Sequence, residues 1–171
     1  MGGALPEPGR RVSVRRVRPD GYFSDLIGFV VAASAAELRL QDRRGETHQV
    51  PWAQVHAWRP VGVARGRDPM RTPLAELDRQ ARLAGLSGRY YVARLSDLLD
   101  SREPMPGSPP SAPPPSPAEH VGEWVVAAPT ADLIALAWWA AHRDARSLLL
   151  VAGDPADHER LLSLGMVARL D

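Results

Sequence analysis

The chain contains no cysteine, no lysine and no asparagine among its 171 residues. Without cysteine the protein can form no disulfide, no thiolate zinc site and no cysteine nucleophile. All 21 basic residues are therefore arginine, a bias typical of GC-rich genomes, because lysine and asparagine codons are rich in adenine. A hydrophobic content of 44% and a mean hydropathy of −0.24 are typical of a folded, water-soluble chain.

Long apolar runs are also missing. The longest apolar stretch, residues 133–141, covers about half of a membrane span. The first eleven residues lack the apolar core that a secretion signal needs. We therefore expect a cytoplasmic protein without a membrane partner. The net charge of only +1 gives no general attraction for nucleic acid.

The histidines form no pattern that is typical of a metal site. The sequence has no His-Glu-x-x-His motif, and no two histidines lie four residues apart. We expect His158, on the last helix, to lie on a solvated face. The sequence also lacks the Gly-x-Ser-x-Gly nucleophile elbow of hydrolases. It therefore predicts neither a metal site nor a hydrolase.

One stretch, residues 103–119, holds eight of the seventeen prolines. Repeated proline fixes φ, removes backbone donors and favours extended polyproline II, so the stretch predicts a semi-rigid spacer. Its Pro-x-x-Pro spacings are also compatible with a proline-binding partner. The predicted organisation is a barrel over 9–61, a helix and connecting segment over 72–102, the linker over 103–119 and an α/β half-domain over 120–171.

The first sixty residues predict a small all-β module. Val12 and Val14 alternate with polar neighbours, as in a half-buried strand. Val17 breaks this alternation, which predicts a bulge near Arg15 and Arg16. Further strands are predicted over 24–33, 38–41, 46–50 and 56–58, with a helical turn over 51–55. Together these elements predict an SH3-like five-stranded barrel, with Trp52 and Trp58 in its core.

Five arginines lie within nine residues of the first predicted strand. They are Arg10, Arg11, Arg15, Arg16 and Arg18. Such a strand could follow nucleic-acid phosphates, with Tyr22 and Phe23 as stacking surfaces. The alternative is a solvated edge strand whose charges oppose edge-to-edge pairing. The sequence leaves both interpretations open.

Three segments carry a family resemblance. Residues 9–16 (Gly-Arg-Arg-Val-Ser-Val-Arg-Arg), 25–28 (Asp-Leu-Ile-Gly) and 45–55 (Gly-Glu-Thr-His-Gln-Val-Pro-Trp-Ala-Gln-Val) are the segments in question. They resemble the SH3-like domain that precedes the transferase domain in one group of bacterial GNAT-superfamily acetyltransferases. The resemblance covers residues 9–85. It implies a fold and a transferase-like neighbour, but no chemistry for this half.

The middle segment predicts a helix that starts at Thr72-Pro73, with Thr72 as N-cap, and ends near Gly85. A strand over 89–95 and a short helix up to Asp100 follow. The sequence leaves open which half of the chain these residues pack against.

The last fifty residues predict a β-α-β-α-β unit. A strand over 123–128 leads to a helix over 131–142 that Thr130 caps, then to a strand over 147–152. Asp154-Pro155 opens the next helix, and a strand over 167–170 ends the unit. Residues 136–151 resemble the third helix and fifth strand of a GNAT domain, and 156–166 its fourth helix. We therefore predict an α+β chain of two modules.

The resemblance also implies where acetyl-CoA would bind, and the residues there depart from the family pattern. In GNAT folds the strand at 123–128 splays from that at 147–152 to admit the cofactor, and the following loop holds its diphosphate. Here that loop is only Ala128-Pro129-Thr130, without glycine and with one N–H removed by proline. Leu161 replaces the tyrosine that serves as general acid, and Asp154 replaces a cofactor-contacting asparagine.

These departures leave no catalytic or cofactor-binding residue to name, and three functions remain as hypotheses. The first is a non-catalytic GNAT relative that binds an unidentified protein partner or a second copy of itself, without a cofactor. The second is an acyl-CoA-dependent N-acetyltransferase with acetyl-CoA as cofactor, completed by residues 86–102 or by a second subunit. The third is weak nucleic-acid association through the arginine-rich first strand.

Overall fold

The structure is a computed structural model that describes residues 4–100, 102 and 112–169. It is an α+β protein with two five-stranded sheets and few helices. The chain divides into two compact units. The first contains residues 4–62 and 112, and the second contains 63–100, 102 and 113–169 of the described chain. Residues 103–111 of the predicted linker lie outside the described residues.

The first unit contains an antiparallel sheet. Its strands are β1 (Arg11–Val17), β2 (Phe23–Ala33), β3 (Glu37–Gln41), β4 (Thr47–Pro51) and β5 (Val55–Pro60). Their order in the sheet is β4-β3-β2-β1-β5. A single 3-10 turn, Trp52–Gln54, connects the two edge strands β4 and β5. No ladder in the described residues pairs these edges, so the sheet is not the closed barrel that we predicted.

The alternation of the first strand builds the core of this unit. Five completely buried residues form one cluster: Val12, Val14, Val30, Leu38 and Leu40. Trp52 and Trp58 are half-buried and pack against this cluster. The register between β1 and β5 shifts between Arg15 and Arg16, which confirms the predicted bulge.

The second unit contains a mixed sheet. Its strands are β6 (Arg89–Arg94), β7 (Ala118–Val121), β8 (Trp124–Ala127), β9 (Ser147–Ala152) and β10 (Val167–Arg169). Their order is β10-β6-β9-β8-β7, and only the pair β8–β9 is parallel among these ladders. The helices are α1 (Leu74–Leu83), α2 (Leu95–Leu99), α3 (Leu133–Ala141) and α4 (Asp157–Ser163), with a 3-10 turn at Pro69–Arg71.

Burial explains the arrangement of the second sheet. Every residue of β9 is buried, as expected for an apolar strand in the middle of a sheet. Strand β6 pairs with β9 on one side and with β10 on the other. Residues 86–100 and 102 therefore belong to the second unit, which answers a question that the sequence left open. No helix in the described part of the chain is long and apolar enough to cross a bilayer.

Two local predictions were wrong, and one strand was missed. The N-cap of α1 is Pro73 rather than Thr72, and no side chain in the described part of the chain caps this end. The N-cap of α3 is Asp132 rather than Thr130, because its carboxylate accepts a hydrogen bond from Ala135 N. Strand β7 was not predicted, and its first two residues lie in the segment that we predicted to be linker. Pairing with β8 across a two-residue turn forms this strand despite its weak alternation.

Candidate functional site

We predicted from the family resemblance that acetyl-CoA would enter between the strands that are now β8 and β9, and these two strands are parallel. Here they stay paired along the whole of β8, from Trp124 opposite Ser147 to Ala127 opposite Leu150. Along the length of β8, the two strands therefore leave no gap between them that could admit a cofactor.

The loop after β8 is held by side chains of its own unit. Asp132 Oδ1 accepts a hydrogen bond from Ala135 N at 3.1 Å, and Thr130 Oγ1 accepts one from Asp132 N at 3.3 Å. Arg160 Nη1 donates to Thr130 O at 2.8 Å. A carboxylate thus occupies the start of α3, where a diphosphate would need free amides.

A polar pair that the sequence did not predict joins helix α4 to strand β6. His158 Nδ1 lies 2.9 Å from the hydroxyl of Tyr91, a buried residue of β6. The expectation that His158 lies on a solvated face was wrong, since this contact leaves it half-buried. The two residues are 67 positions apart, so no local pattern could have revealed the pair. Leu161 is completely buried and has no proton to donate.

The five arginines predicted as an anion site lie on or beside β1, and two of them have acidic neighbours. Arg10 forms an exposed ion pair with Glu7 at 3.4 Å. Arg18 forms one with Asp20 at 3.0 Å. Their charges are therefore partly neutralised, and such exposed pairs are worth little in stability.

Two further arginines of this set hydrogen-bond to the protein itself. Arg11 Nη1 donates to Gly62 O at 2.7 Å, beside the end of β5. Arg16 Nε lies 3.4 Å from Ser24 Oγ on the neighbouring strand. These contacts orient both side chains along the sheet.

Arg15 lies next to exposed aromatic surface. Its guanidinium carbon is 5.0 Å from the centre of the Phe23 ring, a cation–π distance. The Phe23 ring also meets His56 edge-on at 5.0 Å. Phe23 is 49% exposed and Tyr22 is 72% exposed. This corner of the first sheet, which we call the Arg15 corner (Arg15, Tyr22, Phe23 and His56), combines a cation with aromatic faces.

The β3–β4 hairpin holds three groups of the kind that bind metals. Ligand atoms of Asp42, Glu46 and His48 all lie within 4.8 Å of one another. Asp42 Oδ1 accepts hydrogen bonds from Arg44 N at 2.8 Å and Glu46 N at 3.0 Å, and Oδ2 lies 2.8 Å from His48 Nε2. The Asp42 carboxylate therefore shapes the hairpin turn, and this role accounts for the cluster.

Burial acts to raise the pKa of the Asp42 carboxyl. Hydrogen bonds from His48, Arg44 and Glu46 outweigh it, so this pKa lies below its ordinary value.

Comparison with protein-family models, with curated proteins and with solved structures found no match to this chain.

Proposed function

We propose that this chain is a non-catalytic relative of GNAT acetyltransferases that binds a protein partner or a second copy of itself. In this proposal the first unit is SH3-like and the second corresponds to the C-terminal half of a GNAT domain. The observation that carries the loss of catalysis is the Asp132 carboxylate at the start of α3. It already accepts a backbone hydrogen bond there and would repel the diphosphate of acetyl-CoA.

Two further observations support the proposal. The unbroken pairing of β8 with β9 leaves no gap for the pantetheine arm of the cofactor. Leu161, at the position of the family's general acid, is an apolar and completely buried side chain. Catalysis would need a proton donor in reach of the leaving thiolate.

The test is a titration of the ¹⁵N-labelled full chain with acetyl-CoA, followed residue by residue by NMR. We expect no saturable shift changes at the amides of residues 130–135. The variant Asp132→Asn removes the negative charge while keeping an acceptor for Ala135 N, so it separates charge repulsion from loss of the cap. Saturable changes at these wild-type amides, or acetyl transfer to a peptide amine, would overturn the proposal and favour an acyl-CoA-dependent N-acetyltransferase.

A second candidate function is weak association with single-stranded nucleic acid, and the Arg15 corner favours it. Exposed aromatic rings beside an arginine can stack bases while the guanidinium contacts phosphate. The ion pairs of Arg10 and Arg18 and the small net charge keep this interaction weak.

Fluorescence anisotropy with a labelled oligonucleotide tests this second candidate. Affinity should fall as salt rises, because binding to the protein releases counterions from the phosphates and this release is less favourable at high salt. The double variant Tyr22→Ala/Phe23→Ala should weaken binding, whereas Arg43→Gln/Arg44→Gln, in the hairpin away from the corner, should not. An affinity that does not change with salt concentration, or that both double variants lower equally, would rule out recognition by the Arg15 corner.

A further inference from the structure

The second unit contains an open groove with a volume of ≈ 970 Å³. Its wall includes Trp124 and Ser147, which are the first residues of β8 and β9 and face each other in the parallel ladder. The groove therefore opens at the amino ends of these strands. Acetyl-CoA in a GNAT domain would bind at the opposite, carboxyl ends. The groove is thus separate from the region on which the proposed function rests.

Each carboxylate on the groove wall has an arginine partner. The pairs are Asp68 with Arg94 at 3.7 Å, Glu76 with Arg79 at 2.6 Å, and Glu123 with Arg146 at 3.7 Å. The acidic side chains of the wall are therefore already balanced by cations of the protein.

Two more arginines of the wall have no such balance. Arg67 and Arg71 line the groove and are exposed. Among the residues that the structure describes, neither forms an ion pair with a carboxylate. The groove therefore has two guanidinium groups available for an anion, and guanidinium binds phosphate oxygens with two parallel hydrogen bonds.

Gln80 provides an independent observation. This residue also lines the groove, is only 4% exposed, and donates from Nε2 to Glu76 Oε1 at 2.7 Å. Because a carboxylate can only accept, this bond fixes the orientation of the amide. Among the residues that the structure describes, Gln80 Oε1 then has no hydrogen-bond partner. A buried acceptor without a partner is unfavourable, and a donor on a ligand would satisfy it.

The start of α1 adds a favourable field. The ten-residue helix begins after Pro73, a groove residue, and none of the described side chains caps it. The positive end of its dipole therefore lies beside the groove and favours negative charge there.

We propose that this groove binds a phosphate monoester with free hydroxyl groups, that is, a sugar phosphate or a nucleoside phosphate. Arg67 and Arg71 hold the phosphate, and Gln80 Oε1 accepts a hydrogen bond from a hydroxyl of the ligand. Inorganic phosphate can contact the two arginines but has no sugar hydroxyl to offer Gln80. The groove should therefore bind the organic phosphates more tightly than inorganic phosphate.

Isothermal titration calorimetry on the full chain tests the proposal with three probes: ribose 5-phosphate, adenosine 5′-monophosphate and inorganic phosphate. Both organic probes should bind more tightly than inorganic phosphate. Equal affinity for ribose 5-phosphate and adenosine 5′-monophosphate identifies the sugar phosphate as the recognised part. Tighter binding of the nucleotide shows that the base also contributes.

Two variants and one control make the test specific. Arg67→Gln/Arg71→Gln should raise the Kd of all three probes about tenfold. Gln80→Met, of similar size, should raise the Kd of ribose 5-phosphate and leave that of inorganic phosphate unchanged. The control Arg43→Gln/Arg44→Gln removes two exposed arginines of the first unit and should change nothing.

The arginine variants alter exposed side chains, so they keep the test decisive even where Gln80→Met fails to fold. Absence of binding by all three probes at about 10 mM, a range that still detects very weak sites, would overturn the proposal. Equal losses in the groove variant and the control would overturn it as well.

Discussion

His142, at the end of α3, is a buried histidine held in its neutral form. It is 2% exposed, and its ring stacks on Trp138 with the ring centres 6.0 Å apart. Burial, assisted by the positive charge of Arg143, lowers the pKa of His142 from 6.5 to about 4, while a backbone hydrogen bond at Trp138 opposes the shift. Protonation in the folded state is therefore unfavourable.

This pKa predicts an acid-sensitive second unit. Between the unfolded value of 6.5 and the folded value of about 4, the unfolded state binds the extra proton, so stability falls as pH is lowered through this window. The loss should reach about 3 kcal/mol. Urea unfolding at a series of pH values measures it. His142→Phe should flatten the dependence of unfolding free energy on pH, and the control His120→Gln, at an exposed site, should not. Identical slopes for the wild type and both variants would show that His142 does not cause the acid sensitivity.

Composition and spacing cannot distinguish the buried His142 from a solvated histidine. His142 follows the apolar helix α3, whereas His158 lies between Asp157 and Glu159 at the start of α4, and we expected it to face solvent. Its actual partner, Tyr91, comes from another strand. Burial and pairing of single polar residues depend on the tertiary fold, which periodicity does not describe.

At the scale of elements, the β3–β4 hairpin depends on one carboxylate. Asp42 accepts two backbone hydrogen bonds and contacts His48. Asp42→Ala should therefore destabilise the first unit by about 2 kcal/mol. Asp42→Asn keeps Oδ1 as acceptor for both backbone N–H groups and should lose less than half as much in denaturant unfolding.

The pH dependence of the same variants gives the sign of the charge effect. Because the pKa of Asp42 lies below the ordinary value of 3.8, its stabilisation is present above that pH and is lost as pH falls further. The asparagine variant should lack this acid loss. An equal loss of stability for the alanine and asparagine variants would show that the backbone hydrogen bonds are not what Asp42 provides.

Two glycines at the facing ends of β6 and β9 differ sharply in what they tolerate. Gly88 has φ +152, and a Cβ there would lie 2.3 Å from Ala152 O. Gly153 has no heavy atom within 4 Å of such a Cβ. Gly88→Ala should cost about 2 kcal/mol or more of unfolding free energy, and Gly153→Ala should stay within about 0.5 kcal/mol of the wild type. Thermal unfolding of both variants checks the contrast, and similar melting temperatures would refute it.

Several elements were predictable because they depend on local pattern. The alternation of Val12 and Val14 and the parity break at Val17 predicted β1 and its bulge, and the apolar run at 147–152 predicted β9. The caps of α1 and α3 and the strand β7 were not predicted. A threonine before a helix is only one of several groups that can accept hydrogen bonds from the first backbone amides of that helix. Strand β7 depends on pairing with β8, which local pattern does not describe.

At the scale of the whole molecule, each unit has a core of its own. The buried cluster of the first unit (Val12, Val14, Val30, Leu38 and Leu40) lies within residues 12–40. A cluster of the second unit draws on α1, β6, β8 and β9. The groove residues likewise come from four separate stretches of the second unit, 67–80, 94, 121–124 and 147. Sequence spacing could not bring them together, and none of them was predicted as a site.

Separate cores predict that the first unit folds alone. A fragment of residues 1–62 should give a dispersed NMR spectrum and unfold cooperatively with a stability of a few kcal/mol, as expected for so small a core. Val14→Asp, which buries a charge in this core, should abolish both properties. A disordered spectrum for the wild-type fragment, under conditions in which the full chain is folded, would contradict independent folding.

The position of β6 between β9 and β10 has a consequence for biosynthesis. On the ribosome β6 emerges more than fifty residues before Ser147, the first residue of β9, which is the first of its two partner strands to be made. The proline-rich stretch is translated between β6 and β9. Until then Tyr91, Val92 and Ala93 lack both neighbouring strands, and a nascent chain stalled in the prolines would present an apolar segment open on two edges. Slow decoding of that stretch would therefore lengthen the interval in which chaperones must shield the growing polypeptide.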